Sequence, residues 1–149
     1  MFHGEFEHSL DAKRRLAIPS GFRDLMNLRC AGDSLIAAPG MNGCIWLWPE
    51  RYFEQATEAL RKPEILPDPR TARNATYVFA RTATVPFDSA GRIRIPDRLL
   101  EKYGIESHAV VLGVGLHLEV MAPEDWRSRQ AEDDAELDMF EAFGKRKRD

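Results

Sequence analysis

An aspartate followed four residues later by an arginine occurs twice in the chain, as Asp11 and Arg15 and as Asp88 and Arg92. An arginine guanidinium can donate two hydrogen bonds to O6 and N7 of guanine in the DNA major groove, a contact worth about 1–3 kcal/mol of base discrimination. The aspartate can accept backbone N–H groups or hold the arginine, which keeps the loop in one shape. The D-x-x-x-R motif therefore predicts a loop that contacts DNA.

A simpler interpretation is that each aspartate and arginine form only an ion pair inside a hairpin, worth at most about 1 kcal/mol when exposed. One motif alone favours this interpretation. Recurrence of the motif beside other cations favours DNA contact, and Gly91 supplies the freedom of φ that such a loop needs. The predicted DNA-binding residues are Lys13, Arg14, Arg15, Arg92 and Arg94, and the predicted loop-shaping residues are Asp11, Asp88 and Gly91.

The motifs belong to an internal repeat with an offset of 77 residues, in which residues 11–20 align with residues 88–97. From the arginine of each motif onwards, large apolar residues alternate with Arg15 and Ala17 in the first copy and with Arg92 and Arg94 in the second, which predicts a half-buried strand with the arginines facing outwards. Proline cannot donate to a strand ladder, so Pro19 and Pro96 should end these strands. Ser20 and Asp97 should then cap short helices.

Other elements follow from the same patterns. Residues 5–8 and 83–87 are predicted to be the partner strands of the motif strands, joined to them by the loops. Further strands are predicted at 34–38, 45–48, 109–112 and 116–120. Helices are predicted after Pro49 (with Tyr52, Phe53, Ala56 and Leu60 on one face), over Arg70–Arg81, up to Gly104, and from Pro123 through Trp126, Leu137 and Phe140, with a stiff linker at 63–69 and a basic end at Lys145–Arg148.

The predicted fold class is α+β, mainly β. A half-domain this small cannot cover its own apolar face, so the two copies should pack as an intramolecular pseudo-dimeric β-barrel with flanking short helices. Half-domain 1 covers residues 5–52, followed by a helix and linker at 53–80. Half-domain 2 covers residues 81–124, followed by a C-terminal helix and charged tail at 125–149.

Local charge decides whether DNA is a plausible partner, because the chain as a whole carries a net charge of −3. Residues 124–149 contain nine acids and six bases, which leaves 15 of each in residues 1–123. Ser9–Arg23 contains four bases and one acid, a net charge of +3. A positive patch therefore exists where a phosphate backbone could use it.

Composition and motifs argue against several other classes. The chain has 44% hydrophobic and 30% charged residues, which is typical of globular proteins. No apolar run approaches the roughly 20 residues of a membrane-spanning helix, and residues 1–5 lack the basic and apolar regions of a signal peptide, so neither feature is predicted. Cys30 and Cys44 fit no disulfide framework, so we expect a cytoplasmic protein. Catalytic residues, metal ligands, cofactors and small-molecule substrates are not predicted, because the histidines lack zinc spacing and neither G-x-S-x-G nor a nucleotide-binding fingerprint occurs. These histidines are His3, His8, His108 and His117.

The chain resembles the MraZ family of bacterial regulators, which contain two tandem SpoVT-AbrB-type half-domains. The resemblance covers nearly the whole length, from the Met-Phe-x-Gly-Glu-Phe start through residues 10–19 and 87–93. It implies a nucleoid-associated, ring-shaped homo-oligomer that reads G-rich direct repeats in double-stranded promoter DNA through the D-x-x-x-R loops. It also implies a repressor of its own division and cell-wall gene cluster.

One position departs from the family pattern, since Arg14 stands where the family has glycine. A non-glycine residue at positive φ costs on the order of 1 kcal/mol, so the loop could be reshaped, or the extra charge could strengthen phosphate contact. The alternative function is an oligomeric protein-interaction or antitoxin-like module, because the same half-domain occurs in antitoxins.

Overall fold

The computed structural model describes residues 1–29, 34–61, 68–137 and 143. Within these ranges the chain is a mixed α and β structure in which antiparallel sheet dominates. The strands are β1 (Glu5–Ser9), β2 (Leu16–Ala17), β3 (Ser34–Pro39), β4 (Ile45–Pro49), β5 (Ala83–Pro86), β6 (Arg92–Ile93), β7 (His108–Val114) and β8 (His117–Met121). The helices are α1 (Ser20–Arg29), α2 (Glu50–Ala56), α3 (Glu58–Arg61), α4 (Pro69–Phe79), α5 (Asp97–Lys102) and α6 (Pro123–Glu136).

Six strands form one antiparallel sheet in the order β1-β7-β8-β4-β3-β5, and β2 pairs with β6 in a separate two-stranded ribbon. In the sequence repeat, strands β1 to β4 correspond to strands β5 to β8. Exchanging each strand for its counterpart gives the same sheet order read in reverse. Strands β4 and β8 therefore lie at the centre of an internally twofold arrangement. Among the described residues the strands form these two open sheets and do not close into the predicted barrel.

The first strand of each repeat pairs with a strand of the other repeat. Strand β1 runs antiparallel to β7, from Glu5 opposite Leu112 to Ser9 opposite His108. Strand β5 pairs in the same way with β3. Each edge of the large sheet is thus built from both copies of the repeat.

The predicted pairing of the motif strands with the strands before them is wrong. Strand β2 pairs instead with β6, with Leu16 opposite Ile93. Alternation of apolar and polar residues fixes which side chains face the core, but it carries no information about the partner strand. By crossing to each other, the two short strands place their apolar side chains over the large sheet and satisfy each other's backbone groups.

The inward residues of β2 and β6 lie in the main core, between the ribbon and one face of the large sheet. The opposite face of the large sheet is covered by α2 and α4, where Phe53 and Phe79 pack with Trp48 of β4, and by Trp126 of α6. Residues of the main core that are at most 2% exposed include Leu16, Ile18, Ile93, Ile95, Leu47 and Leu118.

Helices α1 and α5 begin one residue earlier than predicted. The prolines provide the helix starts: the carbonyl of Pro96 accepts bonds from the N–H groups of Leu99 and Leu100, and Pro19 does the same for α1. Pro96 occupies the N-cap position of α5, so Asp97 is the first helical residue and makes no cap. Its carboxylate stays available for other contacts.

Most of the remaining elements match their predictions. Gly104, at φ +67°, follows α5, where the N–H groups of Gly104 and Ile105 bond back to Glu101 and Leu100. Helix α4 covers most of the predicted 70–81 segment. The helix after Pro49 is interrupted at Thr57, so that Leu60 falls in α3. The last helix ends at Glu136, whereas Cys30, most of the 63–69 linker, Phe140 and Lys145–Arg148 lie outside the described residues.

The side chains of Cys44 and His117 are packed against neighbouring residues of the sheet. Burial, together with the nearby charge of Glu119, raises the pKa of the Cys44 thiol to about 12. His117 stacks on Trp48 at 4.3 Å between ring centroids and lies 2.9 Å from the Glu119 carboxylate. Burial acts to raise the pKa of Glu119, but the bond to His117 and the charges of His117 and Arg129 outweigh it, so this pKa is lowered overall.

Within the described ranges, none of the helices is both long enough and apolar enough to cross a bilayer. In the same ranges, side chains of His, Cys, Asp and Glu do not gather in groups of three that could hold a metal ion.

Candidate nucleic-acid interface

Both D-x-x-x-R segments fold into the same tight turn, here named turn 1 (residues 11–15) and turn 2 (residues 88–92). In turn 1, the N–H of Arg14 donates to the carbonyl of Asp11 at 2.9 Å, and the N–H of Asp11 donates to the carbonyl of Arg15 at 3.0 Å. Turn 2 repeats both bonds, at 3.0 and 2.9 Å. The fourth residue of each turn has positive φ. This is the pattern of a three-residue hairpin loop, although the strands on either side diverge.

The aspartate of each turn holds both the backbone and the arginine. Oδ1 of Asp11 accepts the N–H groups of Lys13 and Arg15 at 2.9 and 2.8 Å, and Oδ2 accepts Nε of Arg15 at 2.7 Å. Asp88 accepts the corresponding backbone bonds at 2.9 Å each and Nε of Arg92 at 2.8 Å. The turns are therefore shaped by their aspartates.

These contacts also set the ionisation of both carboxylates. The pKa of Asp11 is lowered, chiefly by the backbone N–H of Arg15, and the opposing effect of desolvation is outweighed by this bond together with further bonds from Arg15 and Lys13. The pKa of Asp88 is lowered for the same reasons, with the backbone N–H of Arg92 as the largest cause. Both aspartates are thus charged at neutral pH.

The two turns lie side by side. Nη1 of Arg92 is 3.5 Å from Oδ2 of Asp11, and Nη1 of Arg15 is 3.9 Å from Oδ2 of Asp88. The side chains of Arg15 and Arg92 are 30% and 33% exposed, so neither motif arginine is buried. The ion pairs of the simpler interpretation are present, and they link two guanidinium groups on one face of the protein.

Arg14 adopts φ +59° without changing the shape of turn 1. The turn has the same hydrogen bonds as turn 2, where Gly91 has φ +74°. The guanidinium of Arg14 lies 3.1 Å from Oδ1 of Asp97 at the start of α5. Arg94, which is 64% exposed, approaches the other oxygen of Asp97 at 3.9 Å. Turn 1 therefore has the same backbone shape as turn 2, with arginine in place of glycine at the fourth residue.

Lys13 is exposed within turn 1, so all five predicted cations lie in or next to the paired turns. Two further residues belong to this face. Asp97, predicted as a helix cap, joins Arg14 and Arg94. Arg23 of α1 lies over turn 2, where a Cβ added to Gly91 would collide with its guanidinium. The sequence signal for Arg23 was its place in the Ser9–Arg23 segment of net charge +3.

The fold and the turns define a class: a two-copy antiparallel β-sheet protein that carries paired Asp–Arg turns on one face. The family model described as "MraZ protein, putative antitoxin-like" matches the chain twice, at residues 1–74 and 78–148. The chain belongs to the MraZ family.

Its relatives match over nearly their whole length. A protein named "Transcriptional regulator MraZ" from Lachnoclostridium phytofermentans is 32% identical over 146 residues, which is 97% of this chain and 98% of the relative. Proteins of the same name from Lactiplantibacillus plantarum and Thermomicrobium roseum are 35% and 37% identical, over 93% and 87% of this chain and 94% and 87% of their own.

Proposed function

We propose that this chain is a transcriptional regulator that binds double-stranded DNA sequence-specifically through turns 1 and 2. The proposal depends mainly on one observation: the guanidinium groups of Arg15 and Arg92 lie side by side on one face, each held at Nε by the aspartate of its own turn. The names of the relatives, which are transcriptional regulators, support the same function.

The lengths of the ion pairs suggest how the arginines would contact a base. The bonds within each turn, at 2.7 and 2.8 Å, use only Nε. The contacts between turns, at 3.5 and 3.9 Å, are the longer ones and involve Nη1. Guanine O6 and N7 can accept two N–H groups from the end of a guanidinium, so a base would replace the long contacts and leave the short ones in place. The aspartates would then fix the plane in which each arginine meets the base.

Lys13, Arg14 and Arg94 suit contact with the phosphate backbone. They are exposed or half-buried beside the turns, and contacts of this kind position a protein on the duplex without selecting a sequence. The acids on this face, Asp11, Asp88 and Asp97, are all engaged by arginines.

The finer features of the function belong to the same proposal. Residues 5–52 and 81–124 are two SpoVT-AbrB-type half-domains that form a pseudo-dimer around the internal twofold arrangement. Several chains assemble into a ring in the cytoplasm, associated with the nucleoid. The ring reads G-rich direct repeats spaced by about one helical turn and represses the division and cell-wall cluster that contains its own gene. Several weak contacts would then combine through effective concentration.

The test is a binding assay of the assembled protein on the DNA upstream of its own gene, at fixed salt. Arg15→Ala and Arg92→Ala should each weaken specific binding by about 5- to 150-fold, which corresponds to the 1–3 kcal/mol of an arginine–guanine contact. Arg73→Ala is the matched control, because Arg73 is exposed on α4, on the opposite face of the large sheet. Unchanged affinity in both turn variants, with oligomer and fold intact, would refute the proposed site.

A protein-interaction function is the second candidate, and it is favoured by the antitoxin-like description of the matching family model. Salt dependence separates the two. For DNA, log K falls with log salt by about 0.9 for every phosphate contact, whereas a protein interface depends much less on salt.

A further inference from the structure

The fourth position of the two turns is occupied differently. Turn 1 has Arg14, whose side chain leaves the turn and reaches Asp97 of α5. Turn 2 has Gly91, which has no side chain and is buried. The internal twofold arrangement relates these two positions, so a symmetric protein would carry the same group at both.

Arg23 occupies the space that a side chain at position 91 would need. A Cβ at Gly91 would collide with the Cζ, Nη1 and Nε atoms of Arg23. The Nε of Arg23 donates to the carbonyl of Ile18 at 3.2 Å, and the N–H of Ile18 donates to the carbonyl of Gly91 at 3.2 Å. Helix α1 thus places a guanidinium against turn 2 and fixes it there with one of its five N–H groups.

Each turn therefore has one guanidinium at its fourth position. In turn 1 it belongs to Arg14, a residue of the turn itself, and at turn 2 it belongs to Arg23 of α1. The repeat offset aligns Arg23 with Leu100, which is 1% exposed in the core, so α5 supplies no such group to turn 1. With Arg23 included, six cations lie on this face: Lys13, Arg14 and Arg15 within turn 1, Arg92 within turn 2, Arg23 over turn 2, and Arg94, which shares Asp97 with Arg14.

We infer that Arg23 is a phosphate-contacting residue at turn 2, with the same role that Arg14 has at turn 1. This inference rests on the proposed DNA-binding function. The long cross-contacts join Arg15 and Arg92 between the two turns. The internal twofold arrangement relates Arg14 to position 91, beside which Arg23 lies, so Arg14 and Arg23 flank this pair on opposite sides. A duplex that presents bases to the central pair also presents phosphates on both sides, and a half-buried, anchored guanidinium suits this positioning contact.

The test measures how DNA affinity depends on salt for the assembled protein on its own upstream DNA. Arg23→Ala should make the slope of log K against log salt shallower by about 0.9 for each phosphate that the side chain neutralises in the wild type, with wild-type oligomeric state. Arg23→Gln, which keeps the stem and a donor but lacks the charge, should do the same and serves if the alanine variant does not assemble. The control Arg73→Ala should keep the wild-type slope.

A rescue variant tests whether charge at this position is what matters. In the Arg23→Ala background, Gly91→Arg would supply a guanidinium from turn 2 by the route that Arg14 uses in turn 1, and the slope should return to the wild-type value. An unchanged slope in Arg23→Gln, or a reduced slope that Gly91→Arg does not restore in a correctly assembled protein, would overturn the inference. Absence of specific binding by the wild type would instead contradict the proposed function itself.

Discussion

At the scale of single residues, the turns depend on carboxylates that each accept two backbone N–H groups and one arginine Nε. The spacing in the sequence was sufficient to predict this role of Asp11 and Asp88, because all the partners lie within four residues. The contact between Asp11 and Arg92 could not be predicted in this way, because 81 residues separate them and only the fold brings them together.

Asp11→Asn and Asp88→Asn should weaken specific DNA binding by about tenfold each. An amide keeps the shape of the side chain, but it loses the charge-assisted bond that orients the arginine, and such bonds are roughly twice as strong as neutral ones. The measurement is affinity for the upstream DNA at neutral pH. Asp134→Asn, at an exposed position on α6, is the control. Wild-type affinity in both turn variants would show that the carboxylates do not orient the arginines.

The same variants should change the response to acid. The pKa values of Asp11 and Asp88 are lowered by folding, so these groups stabilise the native state above their ordinary value of 3.8, and this contribution is lost as pH falls from 3.8 through the lowered pKa. We expect a shallower loss of stability in this window for the asparagine variants, measured by thermal unfolding against pH. An identical pH profile would contradict the assigned hydrogen bonds.

Gly91→Ala should destabilise the protein more than Gly43→Ala does. Both glycines have nearly the same positive φ, +74° and +75°, but a Cβ meets the guanidinium of Arg23 at one site and nothing within 4 Å at the other. Gly43→Ala should cost about 1–2 kcal/mol for the left-handed conformation alone. The excess at Gly91, measured by thermal unfolding, should disappear in an Arg23→Ala background. Equal costs in the wild-type background would mean that Arg23 does not pack on turn 2.

At the scale of elements, strand positions were predictable and strand partners were not. Residues 16–18 and 93–95 alternate as expected, with the apolar side chains buried. The partner of a strand depends on contacts between distant segments, and here it is the other repeat: β2 pairs with β6, and β1 with β7. Turn 1 therefore has the hydrogen bonds of a hairpin loop although the strands on either side of it, β1 and β2, pair with other strands.

Leu16→Ala and Ile93→Ala should each lower the free energy of unfolding by about 2–5 kcal/mol, because both side chains are 1% exposed in the main core. The two residues face each other across the ribbon, so their effects should not add in the double variant. Thr84→Ala, at an exposed position of β5, is the control. Additive effects in denaturant unfolding would contradict the pairing of β2 with β6.

At the scale of the whole molecule, the repeat was visible in the sequence, but the way its copies interlock was not. The offset of 77 residues predicted two related units. The large sheet combines strands of both units at each edge, and the ribbon takes one strand from each, so the paired turns exist only when both units are present. The net charge of −3 is likewise a poor guide to local charge, because six of the 21 lysines and arginines lie on the face that carries the turns.

The most direct test of the central claim is a coupling measurement between the motif arginines and guanine N7. Replacing guanines of the upstream repeats one at a time by 7-deazaguanine removes N7 as an acceptor. At contacted positions the wild-type protein should bind about tenfold more weakly. Arg15→Ala or Arg92→Ala should show no further weakening at the guanine that the missing arginine contacts. Equal weakening for the wild type and both variants at every guanine would contradict base recognition by these two side chains.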